Sequence, residues 1–389
     1  MHVCNKAECP PPWLHPRSAY IHIPFCAHHC CYCDFAIAVG QEHQIELYLD
    51  ALAAELHNTL ATPEPVRTMF LGGGTPSLLD AHQLELLLKS LIHWLPLEED
   101  HEFSIEANPS TITREKIAVL ADHGVNRISL GAQSFQPDRL RFLERDHTSP
   151  DIARAVERAR PRIESISIDM IFGTPGQSVQ SWNADLRAAL ELEPDHLSTY
   201  GLTYEKGTLL WKQRRAGAFT PLDEDSERAL YQECMDVLEA AGFEHYEISN
   251  FARPGHRCRH NEVYWANWAH WGFGMGAAGY VNGRRHLNTR DLGTYLKRAL
   301  AGDSPAFQVE TLEPKERAQE TMAIQLRRAD GIIRGPFLEQ TAFSIDDLAK
   351  SAIQRHVDLG LLIDDDQSIR LTREGKFVAD TVIEGLLKS

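Results

Sequence analysis

The chain has 389 residues, 43 % of them apolar, and a formal net charge of −16. That length can hold a barrel-sized core plus an appendage, while the acidic charge speaks against nucleic acid as a partner, because phosphate binding needs a basic surface. No apolar run of about eighteen residues is present to span a bilayer, so no integral membrane segment is expected.

Residues 1–16 form a proline-rich N-terminal tail without an apolar signal core, so a cytoplasmic location is expected. From residue 17 the pattern is a succession of strands and helices. Strand signals begin at Ser18 (SAYIHIPF), Arg67 (RTMFLGGG), Glu102 (EFSIEANP), Asn126 (NRISLGAQS), Ser165 (SISIDMIFG) and His196 (HLSTYGL). Helical spacing appears between them. Ile45, Leu49, Leu52 and Leu56 share one face, as do Val179, Trp182, Leu186 and Leu190, and then Leu230, Cys234, Val237 and Ala241. Alternation of this kind predicts βαβ crossovers and a parallel sheet. Six units are fewer than the eight of a closed barrel, so residues 17–250 are expected to form an α/β fold, a partial (β/α)6 barrel.

Ligands of such folds sit at the C-terminal ends of the strands. The unusual residues fall there: Cys26 after the first strand, Gly72 to Gly74 after the second, Glu106 in the third, Gln133 after the fourth and Asp169 in the fifth.

Residues 251–310 are rich in aromatics, histidine and glycine without a clear period, and are expected to cover the barrel. Residues 311–389 then run through a helix near Ile345 to Leu359, a break at Gly360, two short strands across a DDDQ turn and a last helix capped by Thr372. That order suggests a winged-helix-like α+β module. Ser344 to Ser389 carries nine acidic and six basic residues, a net −3, so packing or a lid suits the module better than DNA binding.

Half of the eight cysteines (Cys26, Cys30, Cys31 and Cys33) lie in PFCAHHCCYCDF. In a large chain with no export signal this points to a metal site and not to disulfides. Zinc would want a fourth ligand and, usually, a second pair of cysteines well downstream; no such pair follows, although a histidine could complete the set. An iron–sulfur cluster suits C-x3-C-x2-C better, because thiolates are its standard ligands. Three thiolates on a four-iron cluster leave one iron open to a substrate. Neighbouring residues of an extended loop point apart, so Cys30 and Cys31 are not expected to reach the same cluster.

C-x3-C-x2-C after a first barrel strand, followed in order by GGGTPS, SIEANP, LGAQSF, SIDMIFGTPGQ and HNEVYW, resembles the radical S-adenosylmethionine (SAM) superfamily. The match is to its group containing the oxygen-independent coproporphyrinogen III oxidase and a haem chaperone branch, and runs from Ser18 into the C-terminal module. The resemblance implies that Cys26, Cys30 and Cys33 hold a [4Fe–4S] cluster whose fourth iron takes the amino and carboxylate groups of SAM. It implies that Tyr20 and Tyr32 flank the two, that Gly73, Gly74 and Thr75 contact the methionine moiety, and that Glu106, Gln133, Arg145 and Asp169 make further SAM contacts. Glycines suit close backbone approach, and GGGTP lacks the GK[ST] ending of a P-loop. A buried salt pair is the alternative reading of Glu106 and Asp169.

The oxidase pattern carries one more cysteine two residues after Cys33, where this chain has Phe35. Phe35 and HNEVYW (His260 to Trp265) are features of the chaperone branch. The resemblance therefore implies a protein that binds haem and a SAM-ligated cluster and passes haem to an acceptor protein of unknown identity. An electron donor such as a flavodoxin or ferredoxin is a further expected partner, and no coproporphyrinogen oxidase activity is expected. The alternative is the oxidase itself, a radical SAM decarboxylase. Imidazole binds haem iron, which makes His260 the candidate ligand, with His256, Cys258 and His270 nearby and Tyr264 and Trp265 available to stack on a porphyrin. The plainer reading of His260 is a hydrogen-bonded structural histidine. Cys9-Pro10 is a thiolate type seen at some haem sites, but in the proline-rich tail its plainer reading is incidental. No catalytic residue is assigned.

Overall fold

The protein is described from a computed structural model over residues 10–388, which leaves Cys4 and Cys9 outside the described residues.

Six parallel strands carry the barrel: β1 (Ser18–Ile23), β2 (Val66–Gly73), β3 (Leu97–Ala107), β4 (Arg127–Gln133), β5 (Ser165–Phe172) and β6 (His196–Gly201). Helices Ile45–Thr59, Ala81–Trp94, Arg114–Asp122, Ser149–Ala159 and Val179–Leu190 make the crossovers between successive strands, and Glu224–Ala240 packs after the last. An antiparallel hairpin, β7 (Glu244–Glu247) and β8 (Asn250–Ala252), extends the edge beyond β6. On the opposite edge β9 (Trp271–Phe273) pairs parallel to β1. The sheet order is therefore β9-β1-β2-β3-β4-β5-β6-β8-β7, a six-unit partial barrel flanked on both sides.

Strand alternation divides the side chains into two environments. Ala19, Ile21, Met69, Leu71, Phe103, Ile105, Ile128, Leu130, Ile166 and Ile168 point outward, fully buried, into the main core under the helices. The opposite parity points into the lumen and is polar: Ser18, Tyr20 and His22 on β1, Ser104 and Glu106 on β3, Arg127 and Ser129 on β4, Ser167 and Asp169 on β5. The barrel is thus held by its outer layer, and its interior is left for polar chemistry.

The segment after β8 does more than cover the barrel. A short helix, Arg259–Trp265, enters the lumen: the Glu102 carboxylate of β3 accepts the backbone N–H groups of Arg259 at 2.8 Å and His260 at 3.0 Å, a carboxylate at a helix N-terminus. Its far end meets the C-terminal module, where Gln340 donates to the carbonyls of Ala266 and Asn267 at 3.0 and 3.1 Å. That module has its own core around Met322, Phe337, Ile353 and Val382. It contains a three-stranded antiparallel sheet of Ile332–Ile333, Ser368–Leu371 and Leu362–Asp364, with helix Ile345–Asp358 preceding the hairpin and Thr372 capping the next helix. A further three-stranded sheet, Ala278–Val281, Arg284–Asn288 and Ala306–Thr311, lies between the two.

Candidate functional site

The cysteine loop leaves the end of β1. Its start is pinned by the pairing of Phe25 and Cys26 with Ala38 and Val39. Cys26 Sγ lies 3.4 Å from Thr75 Oγ1, and Cys30 Sγ accepts from Arg145 Nη1 at 3.4 Å. Cys33 is tied back by its N–H to the Cys30 carbonyl at 3.1 Å. All three border one cavity of about 280 Å³. Burial raises the pKa of Cys26, and that of Cys33 to about 11; a metal would displace these protons, since thiolates are the ligands. Cys31 faces the other way. It is 2 % exposed, packed with Leu143, Ile171, Leu202 and Leu210, and donates to the Phe142 carbonyl at 3.4 Å. Among the described residues no group of three His, Cys, Asp or Glu side chains is arranged to hold one metal ion. A zinc centre would need its thiolates about 2.3 Å from a single point, whereas a cluster spreads them over several irons.

The same cavity collects Tyr32, Gly73, Gly74, Thr75, Glu106, Gln133, Arg145 and Asp169. The glycine strip is pressed against β1 and its loop: Gly74 N–H and Thr75 N–H donate to the Ile23 and Phe25 carbonyls, each at 2.8 Å. Gly73 has φ +110, and a Cβ there would meet the His22 ring at 2.5 Å; one on Gly74 would meet the Pro24 carbonyl oxygen at 2.6 Å. Larger residues would push the strip off the loop.

Glu106 accepts from Gly73 N–H at 3.0 Å. Burial, then the Asp169 charge, pushes its pKa up to about 8. Asp169 accepts from the Ser129 hydroxyl at 2.9 Å and from Ser167 at 3.2 Å, and burial raises its pKa as well. The buried Arg127 guanidinium lies on the lumen side of both and offsets part of this rise, but the two carboxyls still make an acidic wall toward the cavity. Arg145 supplies the opposite sign. Its Nη2 donates to the Gly131 carbonyl at 2.9 Å, while its Nε is buried without a partner among the described residues. Gln133 sits at φ +61, where the β4–β5 pairing shifts register, and its Oε1 is also buried and unpartnered. Orphaned polar atoms, two acids and one guanidinium around a glycine cradle match an amino acid that carries an ammonium, a carboxylate and a sulfonium. The residues fit a cluster with SAM: Cys26, Cys30 and Cys33 would hold the iron, and Glu106, Gln133, Arg145 and Asp169 would meet the ligand's polar groups.

Tyr20 and His260 lie elsewhere. Tyr20 borders a second cavity of about 500 Å³, beside the first, with which it shares Phe35, Gly73 and Glu106. Both Tyr20 and His260 line a smaller lumen space of about 170 Å³. His260 is 0 % exposed and stacked on Phe70. Its Nδ1 lies 2.8 Å from Thr68 Oγ1 and its Nε2 2.9 Å from Tyr264 Oη. The Thr68 hydroxyl donates onward to Ser18 Oγ at 2.8 Å, so Nδ1–H donates to Thr68 and Nε2 accepts from Tyr264. Cys258 is buried with its thiol toward Glu102. Trp265 faces the C-terminal module, under the Arg327 guanidinium.

Sequence reasoning missed Tyr200, Ser129 and Ile171 in the first cavity and His22 and Arg290 in the second. Strand parity could have found the first two, because Ser129 and Tyr200 share the inward face with Glu106 and Asp169. Arg290 has no such signal; it arrives through the fold from a loop remote in sequence.

Residues 20–189 match the family described as "Radical SAM superfamily", and residues 312–378 the "HemN C-terminal domain". The chain is 38 % identical over 373 residues to a protein of Lactococcus lactis named "Heme chaperone HemW", covering 96 % of this chain and 97 % of that protein. Proteins of the same name from Bacillus subtilis and Escherichia coli are 36 % and 33 % identical, covering 95 % of this chain in each case and 99 % and 98 % of those proteins. In fold the chain is similar to the coproporphyrinogen III oxidase HemN of Escherichia coli, with a TM-score of 0.84, 24 % identity, and coverage of 96 % of this chain and 90 % of that one.

Proposed function

Because the chain belongs to the radical SAM superfamily and within it to the haem chaperone HemW family, we propose that it carries haem to an acceptor protein and holds a SAM-ligated [4Fe–4S] cluster next to that cargo. The observation that carries this reading is the adjacency of two cavities that share Phe35, Gly73 and Glu106. One is bordered by Cys26, Cys30 and Cys33 with the acids and Arg145. The other has aromatic walls from Tyr20, Phe35 and Tyr264, as a flat porphyrin requires.

When bound, the cluster supplies an iron for the amino and carboxylate groups of SAM and a route for an electron from a donor such as a flavodoxin or ferredoxin. The chain's own residues do the rest. Glu106 and Asp169 take the ligand's positive charge, Arg145 its carboxylate, and the Gly73–Gly74 strip lets the methionine moiety lie close to β1. Phe35 is 59 % exposed at the junction of the cavities, presenting an apolar ring where the oxidase pattern has a cysteine; this and the chaperone relatives favour transfer over decarboxylation. The working site is proposed to be cytoplasmic, and no helix among the described residues is long and apolar enough to cross a membrane.

The test is a titration of the anaerobically reconstituted protein with haem, followed by incubation with coproporphyrinogen III, SAM and reductant. Stoichiometric haem binding without porphyrinogen turnover is the expected result. Conversion to protoporphyrinogen IX would instead establish the oxidase reading.

A further inference from the structure

We propose that His270 is the axial ligand of haem, through Nε2, in the cavity beside the cluster site, with Arg290 taking a propionate; this rests on the haem-chaperone reading above. The cavity, about 500 Å³, lies in the size range of small-molecule sites. Two imidazoles line it, His22 and His270. Both ring nitrogens of His22 are engaged: Nε2–H donates to the Ala36 carbonyl at 2.7 Å, and Nδ1 accepts from Tyr20 at 3.1 Å. His260, the motif histidine behind them, has both nitrogens bonded to hydroxyls. A haem iron would find the lone pair of each ring already taken by a tyrosine hydroxyl.

His270 differs. Its Nδ1–H donates to the Trp268 carbonyl at 3.1 Å, and Nε2 forms no hydrogen bond to a described residue. A carbonyl accepts only, so this bond fixes the tautomer and leaves the Nε2 lone pair free. Metal-ligating histidines are commonly held in this way. Burial pulls the pKa down to about 4, so the ring is neutral at pH 7. Its orientation is set from both sides. The next residue, Trp271, starts β9, paired to β1, and Tyr264 packs edge-on at 4.7 Å. Tyr264 packs edge-on against His260 as well, at 4.9 Å, so the HNEVYW motif acts on the haem site as a support for His270. On the same cavity, the Arg290 guanidinium donates one N–H to the Asp34 carbonyl. Its remaining donors suit a carboxylate, and the two haem propionates are carboxylates.

The test uses the full chain with its cluster reconstituted, titrated with ferric protoporphyrin IX. In His270→Ala the imidazole-type Soret and visible bands should be lost and affinity should fall by about tenfold or more, while cluster absorbance and SAM binding stay at wild-type level. Free imidazole should restore the bands. Arg290→Gln should weaken binding without moving the bands, and the weakening should vanish with the dimethyl ester of the porphyrin. If His270→Ala misfolds, His270→Gln supplies the same comparison. A variant that keeps both bands and affinity overturns the assignment of His270. A wild-type protein that binds no haem, with its cluster intact, overturns the chaperone reading beneath it.

Discussion

Cys30 and Cys31 are adjacent in the chain and face opposite ways. Cys30 Sγ accepts from Arg145 Nη1 on the cavity side, while the Cys31 thiol donates to the Phe142 carbonyl inside a small apolar cluster, each at 3.4 Å. Cys31→Ala should therefore retain the iron and the charge-transfer absorbance, at a stability cost of about 1–2 kcal/mol for the small void and the lost hydrogen bond. Cys26→Ala, Cys30→Ala and Cys33→Ala should each lose the absorbance. Iron analysis and visible spectra after anaerobic reconstitution read both sets. Loss of the cluster in Cys31→Ala with retention in Cys33→Ala would refute the ligand assignment.

Asp169 points inward from within β5 onto three serine hydroxyls, those of Ser129, Ser167 and Ser198. Asp169→Asn preserves the shape and removes the charge. A hydrogen bond to a charged group contributes about 1.5–3 kcal/mol, so SAM affinity should fall by about tenfold or more. Cluster content should not change, because no thiolate is touched. Calorimetry on the reconstituted protein measures this, and unchanged affinity would make Asp169 a structural residue.

Glu106 gives a pH dependence whose sign follows from its environment. Its carboxyl, pushed up to about 8 by burial and by Asp169, is mostly protonated at neutral pH in the unliganded protein. A carboxyl with a folded pKa above its unfolded one favours folding when protonated, so its contribution to stability is present at acid pH and is lost as pH rises from about 4.5 towards 8. A cationic ligand acts in the other direction, because it prefers the ionised form. SAM should therefore bind more tightly at pH 8 than at pH 6.5 and should release a proton near pH 7. Calorimetry in buffers of different ionisation enthalpy counts that proton. Glu106→Gln keeps only the titrations of the ligand and of Asp169 and serves as the reference; equal proton release in both proteins would remove Glu106 from the binding site.

The outward parity of the strands was legible in the sequence because Ile, Leu, Met and Phe recur at every second position, and their burial alone forces the register of each strand. The inward parity was legible only where a residue was unusual for its surroundings. Asp169 stands out within ISIDMIF, whereas Ser129 and Tyr200 look ordinary in their strands and gain meaning from what faces them across the lumen. The addition of β9 to the sheet was not legible. Trp271–Phe273 is a strand of 3 residues without alternation, recruited by an open edge at β1. The bonding of His260 could not be read either, because Thr68 and Tyr264 reach it from a strand nearly two hundred positions away and from the next helical turn.

That bonding predicts how His260 responds to substitution. The chain Tyr264 O–H to His260 Nε2, His260 Nδ1–H to Thr68 and Thr68 O–H to Ser18 is buried and has a single direction. Burial also keeps the ring neutral, with its pKa lowered to about 3, so no charge is at stake. His260→Ala removes two hydrogen bonds, leaves the Tyr264 hydroxyl without its acceptor and the Thr68 oxygen without its donor, and opens a void against Phe70; the cost should be about 3 kcal/mol or more. Tyr264→Phe strands only the Nε2 acceptor, at about 1–3 kcal/mol. Thermal unfolding of the cluster-free chain should order the melting temperatures as wild type, then Tyr264→Phe, then His260→Ala. With haem added, His260→Ala should keep imidazole-type bands, because the ligand assigned to the iron is His270. Any weakening of affinity should be modest and should track the loosened Tyr264. Complete loss of those bands in His260→Ala, with a melting temperature equal to wild type, would make His260 the iron ligand and would require its hydrogen bonds to Thr68 and Tyr264 to break when haem binds.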